Sequence, residues 1–232
     1  MTQSNHAFLV TCEHASNHVP AEYASLFAGQ RSTLHSHRAY DIGARELAAT
    51  LAELLDAPIF LGETTRLLAD LNRSEKNNTL FSRFTKSIAP EEKSDVLNKY
   101  YFTYRNNVKQ FVSGCLKKTD SLVHISLHTF TPVLGGVERN ADVGILYDPA
   151  RIREKHFALA YREALRMALP RLRVRRNYPY RGVSDSLVTA LRKEYPPTFY
   201  KGIEVEINQR MASQQAARQA MEIMSDVLKG PM

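Results

Sequence analysis

Short apolar runs alternate with helix-spaced segments along all 232 residues, and no other feature restricts the architecture as much. Ala7–Cys12 reads as a buried strand and Asp41–Leu55 as a helix that Asp41 is placed to cap. Pro58–Leu61 reads as a strand and Leu67–Leu71 as another; Glu91–Leu116 has the period of one long helix with an aromatic inner face. Leu122–Leu127 and Asp142–Tyr147 follow as strands, and Ile152–Leu169 as a helix ended by Pro170. Gly202–Asn208 is a late strand, and Met211–Leu228 a closing amphipathic helix. This order predicts an α/β fold, with helices on both faces of a largely parallel sheet. A chain of this length buries about 70% of its unfolded surface, so it needs no disulfide to hold a core. Cys12 and Cys115 make no CxxC pair, which suits a reducing compartment. Apolar runs stop short of the roughly 18 residues of a membrane span. Met1–His6 lacks the positive region of a signal peptide, and the expectation is one cytoplasmic domain over residues 1–232.

In open α/β sheets, ligands bind at the carboxyl ends of the strands. Three apolar runs here end in reactive side chains. The first leads into Glu13-His14-Ala15-Ser16-Asn17-His18, another into Ser126-Leu127-His128-Thr129, and the late strand reads Ile203-Glu204-Val205-Glu206-Ile207-Asn208-Gln209. Alternation places Glu204, Glu206 and Asn208 on one face. Two carboxylates and an amide in a row are costly on a buried strand unless they line a site. Taken singly, each residue has an ordinary explanation. His14 and His128 could be hydrogen-bonded histidines, the latter sharing a strand face with His124, and the two glutamates could form the wet face of an edge strand. Asp41 could be a helix cap worth about 0.5–2 kcal/mol. Together, two His, an Asp and a Glu have the composition of a three-ligand zinc site with a general base.

The other histidines offer less. His35 and His37 sit in a polar loop without a carboxylate, His6 in a terminus expected to fray, His18 in a turn before Pro20, and His156 on a basic helix face. A nucleophilic Cys12 aided by His14 is disfavoured, because a thiol in an apolar run behaves as a small hydrophobe. The formal charge is +7, from 31 Lys+Arg against 24 Asp+Glu, which is compatible with an anionic ligand or nucleic acid. The densest basic run, Arg171–Arg176, would put Arg171, Arg173 and Arg175 on one strand face. With no zinc-finger spacing, RNP aromatics or glycine-rich basic tail, a solvated sheet edge is favoured over a nucleic-acid surface.

Six motifs occur in a characteristic order: Cys12-Glu13-His14-Ala15-Ser16-Asn17, Tyr40-Asp41-Ile42-Gly43, Thr65-Arg66 through Asp70-Leu71-Asn72-Arg73, Ser126-Leu127-His128-Thr129-Phe130, Asn140 through Gly144, and Glu204 through Gln209. As an ordered set they resemble the N-formylglutamate amidohydrolase (deformylase) family over almost the whole chain. The resemblance implies a three-layer α/β/α domain with a mixed, largely parallel sheet, similar to zinc carboxypeptidases and zinc-dependent N-acetylmuramoyl-L-alanine amidases. It further implies Zn²⁺ held by His14, Asp41 and His128, with Glu206 rather than Glu204 as the catalytic glutamate. Glu13, next to His14, competes with Asp41 as the carboxylate ligand.

The implied reaction is hydrolysis of the amide of an N-formyl- or N-acyl-amino acid such as N-formyl-L-glutamate. A small anionic substrate of that kind calls for arginines able to make bidentate contacts. Arg66 and Arg73, which flank Asp70-Leu71-Asn72, are expected at the substrate with Asn72, and so are Arg139 and Arg181 from polar loops. Arg176–Gly182 resembles the family's substrate loop but departs from the form found in histidine-degrading members, which leaves the substrate within the family open. The alternatives are a cell-wall amidase or peptidase on the same scaffold and a non-catalytic anion-binding protein. Metal content separates the enzyme from the binding protein.

Overall fold

The computed structural model describes residues 6–230, so Met1–Asn5, most of the segment read above for a signal peptide, lie outside the described residues. In chain order the strands are β1 (His6–Cys12), β2 (Ile59–Leu61), β3 (Ser121–Phe130), a small hairpin of β4 (Val133–Leu134) and β5 (Val137–Glu138), β6 (Val143–Leu146), β7 (Val174–Arg176) and β8 (Tyr200–Asn208). The helices are α1 (Arg31–Leu34), α2 (Ala44–Leu55), α3 (Pro90–Val96), α4 (Thr103–Cys115), α5 (Ile152–Ala168), α6 (Leu187–Glu194) and α7 (Gln215–Lys229). The main sheet has the order β2-β1-β3-β8-β6-β7. β2, β1, β3 and β8 run parallel, β6 pairs antiparallel with β8, and β7 is parallel to β6. The architecture is the expected α/β/α with a mixed, mostly parallel sheet.

Side-chain alternation gives the sheet two unlike faces. Val10, Cys12, Ile125, Leu127, Val205 and Ile207 point to one side, into a continuous apolar core with α2, α5 and α7. The other face starts apolar, with Leu9, Leu122 and Tyr200 packed against Tyr101, Val108 and Leu191 from the α3–α4 and α6 layer. Towards the carboxyl ends it turns polar through Thr11, His124, Ser126, His128, Glu204 and Glu206, all of them buried. β8 lies between β3 and β6, so its glutamates do not form the wet face of an edge strand.

Several elements differ from the sequence expectations. Leu67–Leu71 forms no strand. Leu68 N–H donates to Thr65 O in a turn and Asp70 N–H to Leu80 O, and Leu68, Ala69 and Leu71 are buried by packing rather than by pairing. Asp41 does not cap α2. Gly43 occupies the N-cap in a left-handed conformation (φ 81°), and no side chain caps this helix end. A side chain at Gly43 would also collide with Ala212. The helix expected over Glu91–Leu116 contains a π-helical segment, Leu97–Phe102, between α3 and α4. β3 extends past Leu127, so His128 and Thr129 belong to the strand itself. His6 does not fray: it opens β1, and its Nδ1 lies 2.7 Å from Ser121 Oγ. β7 is an edge strand, as expected for the basic run, and Arg173 just before it pairs with Asp142. Among the described residues no helix is long and apolar enough to cross a membrane.

Candidate metal centre

His14 follows the end of β1, Asp41 precedes α2, and His128 sits near the carboxyl end of β3. Asp41 N–H donates to His14 O at 2.9 Å, fastening the loop before α2 to the loop after β1. Thr129 Oγ1 donates to Ile42 O at 2.9 Å and ties the same loop to β3. The three side chains therefore converge although 27 and 87 residues separate Asp41 from His14 and from His128. Asp41 Oδ2 lies 3.4 Å from His14 Nδ1 and 2.8 Å from His128 Nδ1. The three residues can offer ligand atoms that all lie within 4.8 Å of one another.

The far nitrogen of each imidazole meets a second carboxylate. His14 Nε2 is 2.7 Å from Asp70 Oδ1, and His128 Nε2 is 3.1 Å from Glu13 Oε2. Carboxylates in this position fix the tautomer and orientation of metal-binding histidines. The geometry separates the two competing carboxylates: Asp41 faces both histidines, whereas Glu13 stands behind His128. Asp70 received no individual role from the sequence. Its only signal was membership of the Asp70-Leu71-Asn72-Arg73 motif, because its partner His14 is 56 residues away.

Burial opposes charge on these carboxylates, yet all three are held below the ordinary range. Arg66 and then His14 depress Asp41, the hydrogen bond and charge of His128 depress Glu13, and His14 followed by Arg66 and Arg73 depresses Asp70. Burial also opposes charge on His128, but Asp41 and Glu13 raise it well above the usual histidine value. Two imidazoles and a carboxylate form a donor set that suits zinc.

Glu206 borders the same space. Burial, with the charges of Asp41 and Glu204, raises it to about 7 against the pull of His128. Among the described residues its Oε2 is buried without a hydrogen-bond partner. Glu204 is also raised by burial, and its Oε1 accepts from Ser186 Oγ at 3.0 Å. Opposite Glu206, β6 carries Gly144, where a Cβ would lie 2.0 Å from Tyr178 O and 3.2 Å from Glu206 Cβ. The missing side chain lets the segment after β7 close over the pocket.

The cavity in front of these groups holds about 400 Å³. Arg66, Asn72, Arg73 and Arg181 line it; Arg139 does not. Arg66 is bonded to Asp41, and its Nε is buried without a partner among the described residues. Arg73 Nη1 donates to Asp185 O at 2.6 Å. Asn72 Oδ1 accepts from Leu187 N–H at 2.7 Å, while its Nδ2 lies 3.3 Å from His128 Nε2. Arg181 is exposed; its carbonyl accepts from Ser184 N–H, while its side chain, among the described residues, makes no ion pair or hydrogen bond. Arg139 stands one layer back, donating to Tyr180 OH at 3.0 Å beside the rings of Phe130 and Tyr180. Cys12 points into the opposite, apolar core, and burial pushes its thiol up, so it is no nucleophile for this pocket. His35 and His37 are exposed and stand outside the cluster.

The sequence model of the N-formylglutamate amidohydrolase family matches residues 6–212. Among solved structures, a gene product of Agrobacterium tumefaciens is 25% identical, aligned over 97% of this chain and 91% of its own, with a TM-score of 0.81. An N-formylglutamate amidohydrolase from Ralstonia eutropha is 14% identical over 97% of this chain and 92% of its own, with a TM-score of 0.65, a likeness of fold. No curated protein matches the chain.

Proposed function

The chain belongs to the N-formylglutamate amidohydrolase family, and from that premise we propose that it is a zinc-dependent hydrolase of N-formyl- or N-acyl-amino acids such as N-formyl-L-glutamate. The observation that carries the proposal is the convergence of His14, Asp41, His128 and Glu206 on one buried pocket. His14 and His128, through Nδ1, and Asp41, through its carboxylate, would hold the metal. Zinc, when bound, supplies a Lewis acid that polarises the amide carbonyl and eases deprotonation of water. Glu206 takes a proton from the attacking water and gives it to the departing nitrogen as the carbon–nitrogen bond breaks. A carboxyl raised to about 7 can do both, holding a proton after the first step and releasing it in the second.

Arg181 is the wall arginine free to receive a carboxylate of the substrate, and Arg66 and Arg73 make the surroundings positive. Asn72 steadies α6 through Leu187 N–H, and Arg139 braces Tyr180. The occupant on this reading is a small anionic acyl-amino acid, handled by one domain in the cytoplasm, where Cys12 and Cys115 remain free thiols. Protein purified without chelator should contain one Zn²⁺ per chain by elemental analysis and should hydrolyse N-formyl-L-glutamate. It should cleave that acid faster than its neutral amide by roughly 10- to 150-fold in kcat/KM, the worth of a charged contact of about 1.5–3 kcal/mol. A metal-free chain with full activity would remove zinc from the reading, and equal rates for acid and amide would remove the arginines.

A further inference from the structure

The segment that follows β7 places Tyr180 and Arg181 in the pocket wall. The Arg181 side chain is unpaired among the described residues, but the peptide unit that joins Arg181 to Gly182 is held at both of its polar atoms. Arg181 O accepts from Ser184 N–H at 2.9 Å, a bond local to the turn. Gly182 N–H donates to Asn177 Oδ1 at 3.0 Å, a bond that closes the segment from its last residue to its first.

The same Asn177 oxygen accepts from Tyr147 N–H at 3.1 Å, just past the end of β6. Two N–H donors face this atom, so it is the oxygen of the amide and not the nitrogen. Asn177 N–H in turn donates to Ile145 O on β6 at 2.8 Å. One residue therefore joins both ends of the segment to the neighbouring strand. Its φ is 48°, in the left-handed region that asparagine enters more readily than most residues. Further along, Asn140 N–H donates to Tyr178 OH and Arg139 Nη2 to Tyr180 OH, each at 3.0 Å. Those contacts fix two rings of the segment, whereas the bridge at Asn177 fixes the backbone beside Arg181.

We infer that Asn177 is a positioning residue that sets substrate specificity through Arg181. By bridging Tyr147 and Gly182 it holds the backbone beneath Arg181 against β6, so that the guanidinium meets a carboxylate of the substrate from a fixed point on the wall. The inference rests on the reading above for the kind of substrate, an anionic acyl-amino acid. It deepens that reading by naming the residue that gives the carboxylate contact its place. A long side chain loses rotamer freedom on binding, and a fixed backbone beneath it keeps the segment from adding an ordering cost of its own.

The test uses Asn177→Gly, which keeps the left-handed backbone and removes the bridge, and Asn177→Asp, which keeps both. Glutarate is the binding probe, because it has the five-carbon dicarboxylate chain of N-formyl-L-glutamate and no amide to cleave. Titration calorimetry should show glutarate bound about 10-fold more weakly by Asn177→Gly, the lower end for loss of a charged contact, and close to wild type by Asn177→Asp. Arg181→Ala should weaken glutarate at least as much. Adding Asn177→Gly to Arg181→Ala should weaken it no further, because the bridge then has nothing left to position. In kinetics, Asn177→Gly should lose about 10-fold of the preference for N-formyl-L-glutamate over its neutral amide, with the loss in KM. Additive losses in the double variant would overturn the proposal. So would a lower melting temperature with glutarate affinity and acid preference unchanged, which would make Asn177 scaffold, or a wild type that binds no glutarate. If the wild type binds glutarate but does not hydrolyse N-formyl-L-glutamate, the proposed function fails, while the double variant still decides the role of Asn177.

Discussion

Glu204 and Glu206 share one face of β8, but the register treats them differently. Glu206 stands opposite His128, whereas Glu204 stands opposite Ser126, one repeat further from the carboxyl end of the sheet. On the proposed reading it is the former, nearer the carboxyl end, that takes the proton from water at the candidate metal. Glu206→Gln keeps the shape and should retain zinc while lowering kcat by roughly 10²–10⁴-fold. Glu204→Gln, which perturbs the bond from Ser186, should act on stability or KM instead; stopped-assay kinetics with elemental analysis of both variants separates the cases. Loss of zinc from Glu206→Gln would make that glutamate a ligand. Asp70 gives a second residue-scale expectation. Asp70→Asn weakens the carboxylate behind His14, and Zn²⁺ affinity should fall about 10- to 100-fold. His35→Ala and His37→Ala, outside the cluster, should leave affinity unchanged.

Among the elements, α5, α6 and β8 are locked together by one buried ion pair whose members do not line the pocket. Arg192 on α6 reaches Glu154 on α5 at 3.0 Å and donates to Gly202 O on β8 at 2.6 Å. Glu154 in turn accepts from Gly202 N–H and Asp148 N–H, each at 3.0 Å. Removing one partner strands the other charge in the interior. Arg192→Met should therefore cost about 3–5 kcal/mol in urea unfolding, while folded protein keeps its zinc affinity. A cost near zero would mean that water reaches Glu154. Nothing in the spacing of either helix announced this pair, since each residue alone reads as a solvated helix charge. The π-helical segment was equally hidden. Its wider turn leaves an aromatic-rich helical period looking continuous, yet Tyr101 inside the segment reaches Arg73 O, and Tyr104 just after it reaches Glu13 and Phe60 O.

For the whole molecule, the buried titrating groups set how stability follows pH. Glu13, Asp41 and Asp70 are depressed in the fold. The unfolded chain therefore binds more protons around pH 4, and stability present above about 4 is lost as pH falls through their folded values. Glu206 has the opposite sign. Raised to about 7, it retains a proton that the unfolded chain gives up near 4.3, so its contribution is complete at low pH and lost as pH rises to about 7. Metal-free wild type should thus lose melting temperature between about pH 5 and 7 relative to metal-free Glu206→Gln, in which nothing titrates at that position. Parallel melting curves across that window would show that the Glu206 carboxyl is hydrated. Zn²⁺ at about 100 times its Kd should add about 2.7 kcal/mol to the wild type.

The sequence by itself determined the alternating elements and hence the α/β class, because burial of one sheet face and one helix stripe is a local, periodic requirement. It also determined that polar residues cluster where β1, β3 and β8 approach their carboxyl ends, since a carboxylate row on an apolar strand stands out against that period. Tertiary structure alone decided which polar groups meet. Asp41 looked like a helix cap until the loop before α2 was seen tied to His14 O and to β3, and Gly43 was seen at the cap itself. Glu13 competes with Asp41 in the sequence, and the fold sets it against His128 Nε2, while Asp70 acquired a partner only when the buried loop that carries it folded against His14. These pairings depend on strand register and loop closure between residues dozens of positions apart. Distances of that kind leave no trace in local spacing, because the chain between them can take the side chains together or apart at equal local cost.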